Sequence, residues 1–184
     1  MCIKINVKKH IIGGILVILL SAIPILSSIY FEKPSLNVSA LFENENINDI
    51  SLTIYYKDPY ALMFYPISSV EDLIQRCDDK IVINGSDLEE YIDLFKKINN
   101  DDLKLAIWKS SDLDLRVYYV LESKKNGKLF DVAMWGSDDN RIFVNGIEVK
   151  GNKIFGDVIM PFLSEDEAKE LEDFIIYGRD LVEE

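Results

Sequence analysis

The pattern of apolar and polar positions along the chain first predicts several short strands. Between Ser51 and Lys57 apolar and polar residues alternate, as they do in a strand that buries one face. A turn signal follows at Asp58-Pro59, and Pro66 closes the next apolar run. That run and two later ones predict further strands over 60–65, 80–83 and 103–109.

Two Asn-Gly pairs between alternating stretches predict two β-hairpins. Asn126-Gly127 separates 113–123 from 128–135, and Asn145-Gly146 separates 141–144 from 147–150. Both residue types tolerate the positive φ angles of a type I′ turn, so each pair predicts a two-residue loop that fixes the register. The first register pairs Tyr118 with Trp135, Tyr119 with Met134, Val120 with Ala133, Leu121 with Val132 and Glu122 with Asp131. The second register pairs Ile142 with Val149 and Val144 with Ile147.

Two stretches with helical spacing begin with a capping box, in which a serine side chain and a glutamate side chain bond each other's backbone N–H. Ser86 with Glu89, and Ser164 with Glu167, have this spacing. Apolar residues then recur every three or four positions after each box. The pattern therefore predicts amphipathic helices over 86–99 and 164–179.

The fold class that these elements predict is α+β. A third, shorter helix is capped by Ser69 and ends near Cys77. We expect a mainly antiparallel sheet that carries the two long helices on one face. The strands and the short helix before residue 84 form a smaller N-terminal ββαβ portion beside it.

The run from Ile11 to Tyr30 has twenty residues and no charged side chain, which is about the length that crosses a bilayer. Three lysines precede the run, and carboxylates dominate the residues after it. Because the more positive flank stays inside, we expect a cytoplasmic N-terminus and an exported domain. The predicted organisation is a basic cytoplasmic tail over 1–10, a transmembrane signal anchor over 11–31, a linker over 32–48 and an extracytoplasmic domain over 49–184.

A cleaved signal peptide is the alternative interpretation of the same N-terminal segment. Pro24 would then break the helix before a cut near Ser28. Leu26 argues against the cut, because it occupies a position where a small residue is preferred. Both interpretations export the domain, which is held in the cell membrane in the first and secreted in the second.

The charge of the chain is strongly acidic and unevenly distributed. All 32 acidic residues but only 17 of the 20 basic ones follow residue 31, so that part has a net charge of −15. Such a domain repels phosphate backbones, and we expect no nucleic-acid partner. A protein partner, a cationic ligand or solubility itself fits the charge better.

The residue types present exclude several kinds of catalytic site. The only histidine, His10, lies in the N-terminal tail, so the domain cannot hold a Ser-His-Asp site or a His-ligated metal. Cys2 and Cys77 lie on opposite sides of the predicted membrane segment and cannot pair. The sequence has no glycine-rich phosphate loop, GxSxG or CxxC motif, and we expect no cofactor and no metal site.

The outer face of the first predicted hairpin carries the candidate functional residues. Tyr118 opposite Trp135 is too apolar for a solvated face, and Glu122 opposite Asp131 is unfavourable without a nearby cation. One interpretation is that a helix or loop covers the rings and a basic side chain neutralises the carboxylates. The other is an exposed aromatic platform beside an acidic pair, which would bind a cationic peptide, a sugar ring or a partner subunit.

Together these features predict a single-pass, membrane-anchored domain that binds a partner at a bacterial cell surface and has no catalytic activity. The abundance of Ile, Asn and Lys suggests an AT-rich bacterial genome. One alternative is a His-free envelope hydrolase that uses Glu122 and Asp131 as paired carboxylates. Another is an accessory subunit of a membrane complex, in which the segment 11–31 makes the contacts.

Overall fold

The computed structural model describes residues 37–43, 45–105, 114–135 and 141–180. Six strands in these residues form one antiparallel sheet in the order β2-β1-β3-β4-β5-β6. Together with the helices, the sheet confirms the α+β fold class. The strands are β1 (Ile50–Tyr56), β2 (Asp79–Asn84), β3 (Leu115–Ser123), β4 (Gly127–Trp135), β5 (Ile142–Val144) and β6 (Ile147–Val149).

The larger apolar core lies on one face of the sheet, under most of the helices. Alternate residues of β1, β3 and β4 bury their side chains there, among them Leu52, Tyr119 and Val132. Helix residues such as Leu88 and Leu171 pack against them. The helices in chain order are α1 (Val38–Glu43), α2 (Val70–Arg76), α3 (Gly85–Glu89), α4 (Ile92–Phe95), α5 (Ile154–Asp157) and α6 (Glu165–Asp180), with 3-10 turns at Ile47–Asp49 and Met160–Phe162.

A second, smaller apolar cluster lies on the opposite face of the sheet. Its sheet residues are Leu115, Tyr118, Val120, Ala133 and Trp135. Ile67, from the segment between β1 and α2, and Leu73, from α2, cover them and are fully buried themselves. The N-terminal elements are therefore part of the main sheet and its cover, and they do not form the separate ββαβ portion that the sequence predicts.

The two predicted hairpins are both present, and one of the two registers is confirmed. Ile142 pairs with Val149 and Val144 with Ile147, around Asn145 and Gly146 at φ angles of 49° and 77°. The register of the first hairpin differs from the prediction. Its loop holds three residues, 124–126, followed by Gly127 at a φ of 69°, which shifts the partners of Glu122 and Ser123 by three residues. An irregularity between Leu121 and Glu122 reduces the shift to two residues from Leu121 back to Val117. Tyr118 consequently pairs with Ala133, Tyr119 with Val132, Val120 with Asp131 and Leu121 with Phe130.

The side chain of Ser123 explains the wider loop of the first hairpin. Its hydroxyl accepts hydrogen bonds from the backbone N–H of Lys125 and Asn126, at 3.2 Å and 3.4 Å. Ser123 and Asn126 also donate to the carboxylate of Glu45. These bonds stabilise a three-residue turn, and a pattern of alternating residues does not reveal them.

The predicted capping of the helices is confirmed at two positions and wrong at one. Ser69 caps α2 by accepting from Asp72 N, and Ser164 forms the capping box with Glu167 at the start of α6. The box at Ser86 does not form, because α3 begins one residue earlier, at Gly85. Gly85 has a φ of 44°, and its Cα approaches Asn48 closely enough that a Cβ would lie 3.3 Å from Asn48 Cα. The stretch predicted as one helix over 86–99 is divided into α3 and α4.

Two other segments differ from their predictions. The run 60–65 is a loop and not a strand, and α1 occupies part of the predicted linker, where Val38 is fully buried in the larger core. The predicted strand 103–109 is represented by a single bridge between Leu105 and Val149, and its residues 106–109 lie outside the described part. The tail 1–10 and the predicted anchor 11–31 also lie outside it. Within the described ranges, no helix is both long and apolar enough to cross a membrane.

Candidate functional site

The aromatic pair that the sequence singled out does not form an exposed platform. The side chains of Tyr118 and Trp135 are only 8% and 7% exposed. Tyr118 stacks on Tyr55 at a ring distance of 6.0 Å, and Trp135 packs on Phe143 in an edge-to-face arrangement at 5.7 Å. Of the two interpretations of this face, the exposed platform is wrong, and the structure agrees with the covered one, because the segment before α2 and α2 itself lie over the rings.

The two predicted carboxylates are also separated. The shifted register places Lys128 opposite Glu122, and it places Val120 opposite Asp131. Asp131 forms an ion pair of 3.0 Å with Lys128 and accepts a hydrogen bond of 3.1 Å from the hydroxyl of Tyr118. Burial and the neighbouring charge of Asp131 raise the pKa of the Tyr118 hydroxyl well above its usual range. The negative charge of Asp131 is therefore neutralised locally, and the opposed pair of carboxylates is not present.

The most unusual surface in the described part of the chain is the segment Pro59–Pro66, called here the apolar loop. It connects β1 to α2. Leu62 and Phe64 are fully exposed, at 100% and 102%, and Tyr65 and Tyr60 are exposed at 77% and 55%. Large apolar side chains grouped at this exposure mark an interaction surface, whereas single exposed ones are ordinary.

The apolar loop extends from a charged base but carries no charge itself. No charged residue occurs from Pro59 to Val70. At the base, Lys57 forms an ion pair with Asp78. Burial acts to raise the pKa of Asp78, but the hydrogen bonds from Lys57 and from the backbone N–H of Asp58 outweigh it and hold this pKa below its usual range. The base is therefore polar and ionised, and the tip is apolar.

Arg116 of β3 holds the first half of the apolar loop. Its side chain is 6% exposed, and its guanidinium donates to the carbonyls of Asp58 and Ala61 at 2.7 Å and 3.2 Å. The same group pairs with the carboxylate of Asp114. A β-bulge falls at Arg116, between the paired residues Leu115 and Val117. A bulge redirects a side chain, and this one accompanies the turn of the guanidinium toward the loop.

The second half of the apolar loop is held by Asp114 and Arg76. Asp114 accepts a hydrogen bond of 2.9 Å from the backbone N–H of Ile67. Arg76 of α2 donates to the carbonyl of Tyr65 at 3.0 Å, and its own position is fixed by Asp72 at 2.8 Å. Met63 turns inward and packs on the smaller apolar cluster. The backbone of the loop is therefore attached at both ends and at its middle, while Leu62 and Phe64 face solvent.

Within the described residues, no three His, Cys, Asp or Glu side chains are grouped so that they could hold a metal ion. A shallow cavity of about 270 Å³ is lined by Ser39, Phe42, Glu43 and Lys96, none of which belongs to the predicted site. No protein-family model, no curated protein and no solved structure matches the chain.

The sequence of the apolar loop fits both a strand and a loop, and its apolar pattern alone does not distinguish them. The run 60–65 has the length and composition of a buried strand, so the apolar residues indicated burial. Asp58-Pro59 and Pro66 mark turns at both of its ends, and these signals are equally typical of a loop. The residues that hold the loop, Arg116 and Asp114, lie about fifty positions later, and no local pattern connects them to it.

Proposed function

We propose that this protein is a membrane-anchored, extracytoplasmic interaction domain without catalytic activity, and that the apolar loop is its contact element. The observation that carries the proposal is the full exposure of Leu62 and Phe64 on a backbone held by the buried Arg116. An apolar surface that is already ordered loses little conformational entropy when it binds. The geometry therefore favours binding by the loop.

The structure does not contain the opposed pair of carboxylates that the hydrolase alternative requires. Glu122 and Asp131 are not opposite one another, and Asp131 is engaged by Lys128 and Tyr118. Glycoside hydrolysis requires two carboxylates across a cleft that accepts the substrate. The separation of this pair supports an interaction domain over an enzyme.

The membrane anchor and the exported location rest on the sequence of residues 1–31. The uncharged run Ile11–Tyr30 and the three lysines before it support an anchor with a cytoplasmic N-terminus. The test is cysteine labelling in intact cells, in a chain whose Cys2 and Cys77 are replaced. A membrane-impermeant maleimide should label Lys125→Cys, on the exposed turn of the first hairpin, and should leave Asn6→Cys unlabelled until the cells are lysed. The reverse labelling would place the domain inside.

The role of the apolar loop is tested by photocrosslinking in the same cells. A photoreactive amino acid at Leu62 should give light-dependent adducts with the component that the loop contacts. The matched control is the same amino acid at Lys97, which is also exposed but lies after α4, among polar residues. Equal adduct yields from the two positions would show that the loop has no specific contact and would overturn the proposal.

A further inference from the structure

We infer that the apolar loop contacts the bilayer itself, with Leu62 and Phe64 in the interfacial region of the outer leaflet. This inference rests on the proposed membrane anchor, and it identifies the bilayer as the surface that the proposed contact element binds. The loop then forms a second attachment to the membrane and orients the domain against it.

The residue types of the apolar loop fit a membrane interface. Aliphatic and aromatic side chains, Leu62 and Phe64, form the tip, and tyrosines 60 and 65 flank it. Tyrosine is enriched at the level of the lipid headgroups, because its ring is apolar and its hydroxyl stays hydrated. The uncharged stretch from Pro59 to Val70 means that no charge has to be dehydrated when the tip enters the interface.

Several backbone carbonyls at the apolar loop already have hydrogen-bond donors within the protein, which suits a contact with the membrane. A carbonyl that moves away from water needs a hydrogen-bond donor within the protein. Arg116 supplies donors to the carbonyls of Asp58 and Ala61, and Arg76 supplies one to that of Tyr65. These parts of the loop can therefore approach the headgroups, because their carbonyls do not depend on water for a hydrogen-bond donor.

The size of the exposed tip favours a lipid surface over a free protein partner. A stable protein interface uses about 20–30 residues on each side, and the apolar loop presents only four large exposed side chains. A domain that is already tethered to a membrane needs a weaker contact, because the tether keeps the loop close to the lipid surface. The effective concentration is then in about the millimolar range. A small apolar contact is sufficient for binding in that case.

The length of the chain between anchor and domain supports the same occupant. Five residues, 32–36, lie between the predicted anchor 11–31 and Asn37, where the described part of the chain begins. Five extended residues span roughly 17 Å at most. The bilayer is therefore the one surface that the anchored domain always has close to it.

The charge of the domain predicts which lipids the apolar loop prefers. The chain after residue 31 has 32 acidic and 17 basic residues, so an anionic leaflet repels the domain. The tip of the loop carries no charge and is not repelled. We expect a closer contact with zwitterionic phosphatidylcholine vesicles than with vesicles that also contain phosphatidylglycerol. The difference should decrease as salt is added, because salt screens the repulsion.

The test uses the full chain, with Cys2 and Cys77 replaced, reconstituted in vesicles of these two compositions. An environment-sensitive fluorophore is attached to Leu62→Cys, and in the matched control to Lys125→Cys. At position 62 we expect a blue-shifted emission and a several-fold stronger quenching by nitroxide-labelled lipids than at position 125. The shift should be larger in phosphatidylcholine alone.

Two controls separate failure of this inference from failure of the proposed function. Protein that alkaline carbonate extracts from the vesicles lacks a membrane anchor, which overturns the proposed anchoring. Protein that stays anchored, but whose label at 62 behaves like that at 125, overturns the contact with lipid only. In the crosslinking experiment in cells, adducts of Leu62 with lipid support the inference, and adducts with a protein contradict it.

Discussion

Arg116 is the residue on which the shape of the apolar loop depends. It belongs to β3 and lies about fifty positions after the loop, yet it donates to the carbonyl of Asp58 just before the loop, to that of Ala61 within it, and to Asp114. A lysine could not reproduce this, because only the planar guanidinium places several donors in a fixed fork. The loop can expose its apolar tip because a buried cation holds its base.

Replacing Arg116 with Met should release the apolar loop and destabilise the domain. The change leaves Asp114 without its cation and two carbonyls without their donor, which we expect to cost about 3 kcal/mol. Urea unfolding gives the total loss, and hydrogen exchange should show faster exchange of the backbone N–H of Ile67. Arg76→Met is the matched control, because its side chain is 34% exposed and its loss should cost about 1 kcal/mol. Equal losses for the two variants would contradict the central role of Arg116.

Asp79 gives a second prediction for a single residue. Burial, and after it the charge of Glu167, raises the pKa of the Asp79 carboxyl. A carboxyl whose pKa is raised by folding stabilises the fold while it is protonated, and this stability is lost as the pH rises through the folded pKa. At pH 7 the ionised group therefore opposes folding. Because Asp79 is exposed and solvent screens its charge, Asp79→Asn should raise the Tm only slightly, by about 1 °C.

A pH series tests the prediction for Asp79. The gain in Tm should disappear near pH 3, where the carboxyl is protonated in both the folded and the unfolded chain. Asp87→Asn is the control for removal of one exposed acidic charge, and it should change the Tm less. A gain that is as large at pH 3 as at pH 7 would show that the carboxylate repulsion is not its source.

At the scale of elements, the two hairpins show what an alternating pattern can and cannot predict. The register of the second hairpin was correct to the residue, and that of the first was wrong by two residues from Val117 to Leu121 and by three next to the turn. A shift of two residues preserves the face of every side chain, so the prediction that Tyr118, Val120 and Ala133 share a face was still right. The partners depended on the hydroxyl of Ser123 and its bonds to the loop, which alternation does not encode.

The run 60–65 shows a different error, since its element type was wrong. Its apolar residues predict burial, and burial is the ordinary outcome for such residues. Sequence-based reasoning is expected to fail at functional or strained sites. The wrong assignment here falls on the loop that we propose as the contact element, and the same loop and α2 cover Tyr118 and Trp135.

The capping of α6 gives a prediction at the scale of one helix. Ser164 accepts from Glu167 N at 3.3 Å, and Glu167 accepts from Ser164 N at 2.8 Å. Ser164→Ala should lower the free energy of unfolding by about 1 kcal/mol, because an N–H at the helix start loses its acceptor. Ser86→Ala is the matched control, since Ser86 is exposed and lies inside α3. Urea unfolding of both variants checks this, and an equal loss from Ser86→Ala would contradict it.

At the scale of the whole molecule, the two faces of one sheet have different covers. One face carries the larger core and the helices other than α2, and it buries Tyr56 and Tyr119. The other face carries α2 and the apolar loop, and it buries Tyr118. The stability of the sheet therefore limits both the fold and the presentation of the loop, and any condition that opens the sheet should also release the loop.

High pH is such a condition. Burial raises the pKa of Tyr56, Tyr118 and Tyr119 well above the usual value of 10, helped by Glu170 for the first and by Asp131 for the second. A raised pKa means that the folded chain keeps these protons while the unfolded chain loses them. Stability is therefore complete below pH 10 and falls above it, by up to about 4 kcal/mol per pH unit for the three groups together.

We therefore expect cooperative unfolding between about pH 11 and pH 13, because domains of this kind are stable by only about 5–15 kcal/mol. Circular dichroism should report it together with a rise in tyrosinate absorbance, since these three of the nine tyrosines ionise only on unfolding. Tyr119→Phe removes the hydrogen bond to Phe155 O, so it should cost about 1 kcal/mol at pH 7. The same variant should reduce the loss of stability above pH 10 by about one third, because one of the three ionising groups is gone. Ionisation of all nine tyrosines near pH 10 with the fold intact would contradict the burial of these three hydroxyls.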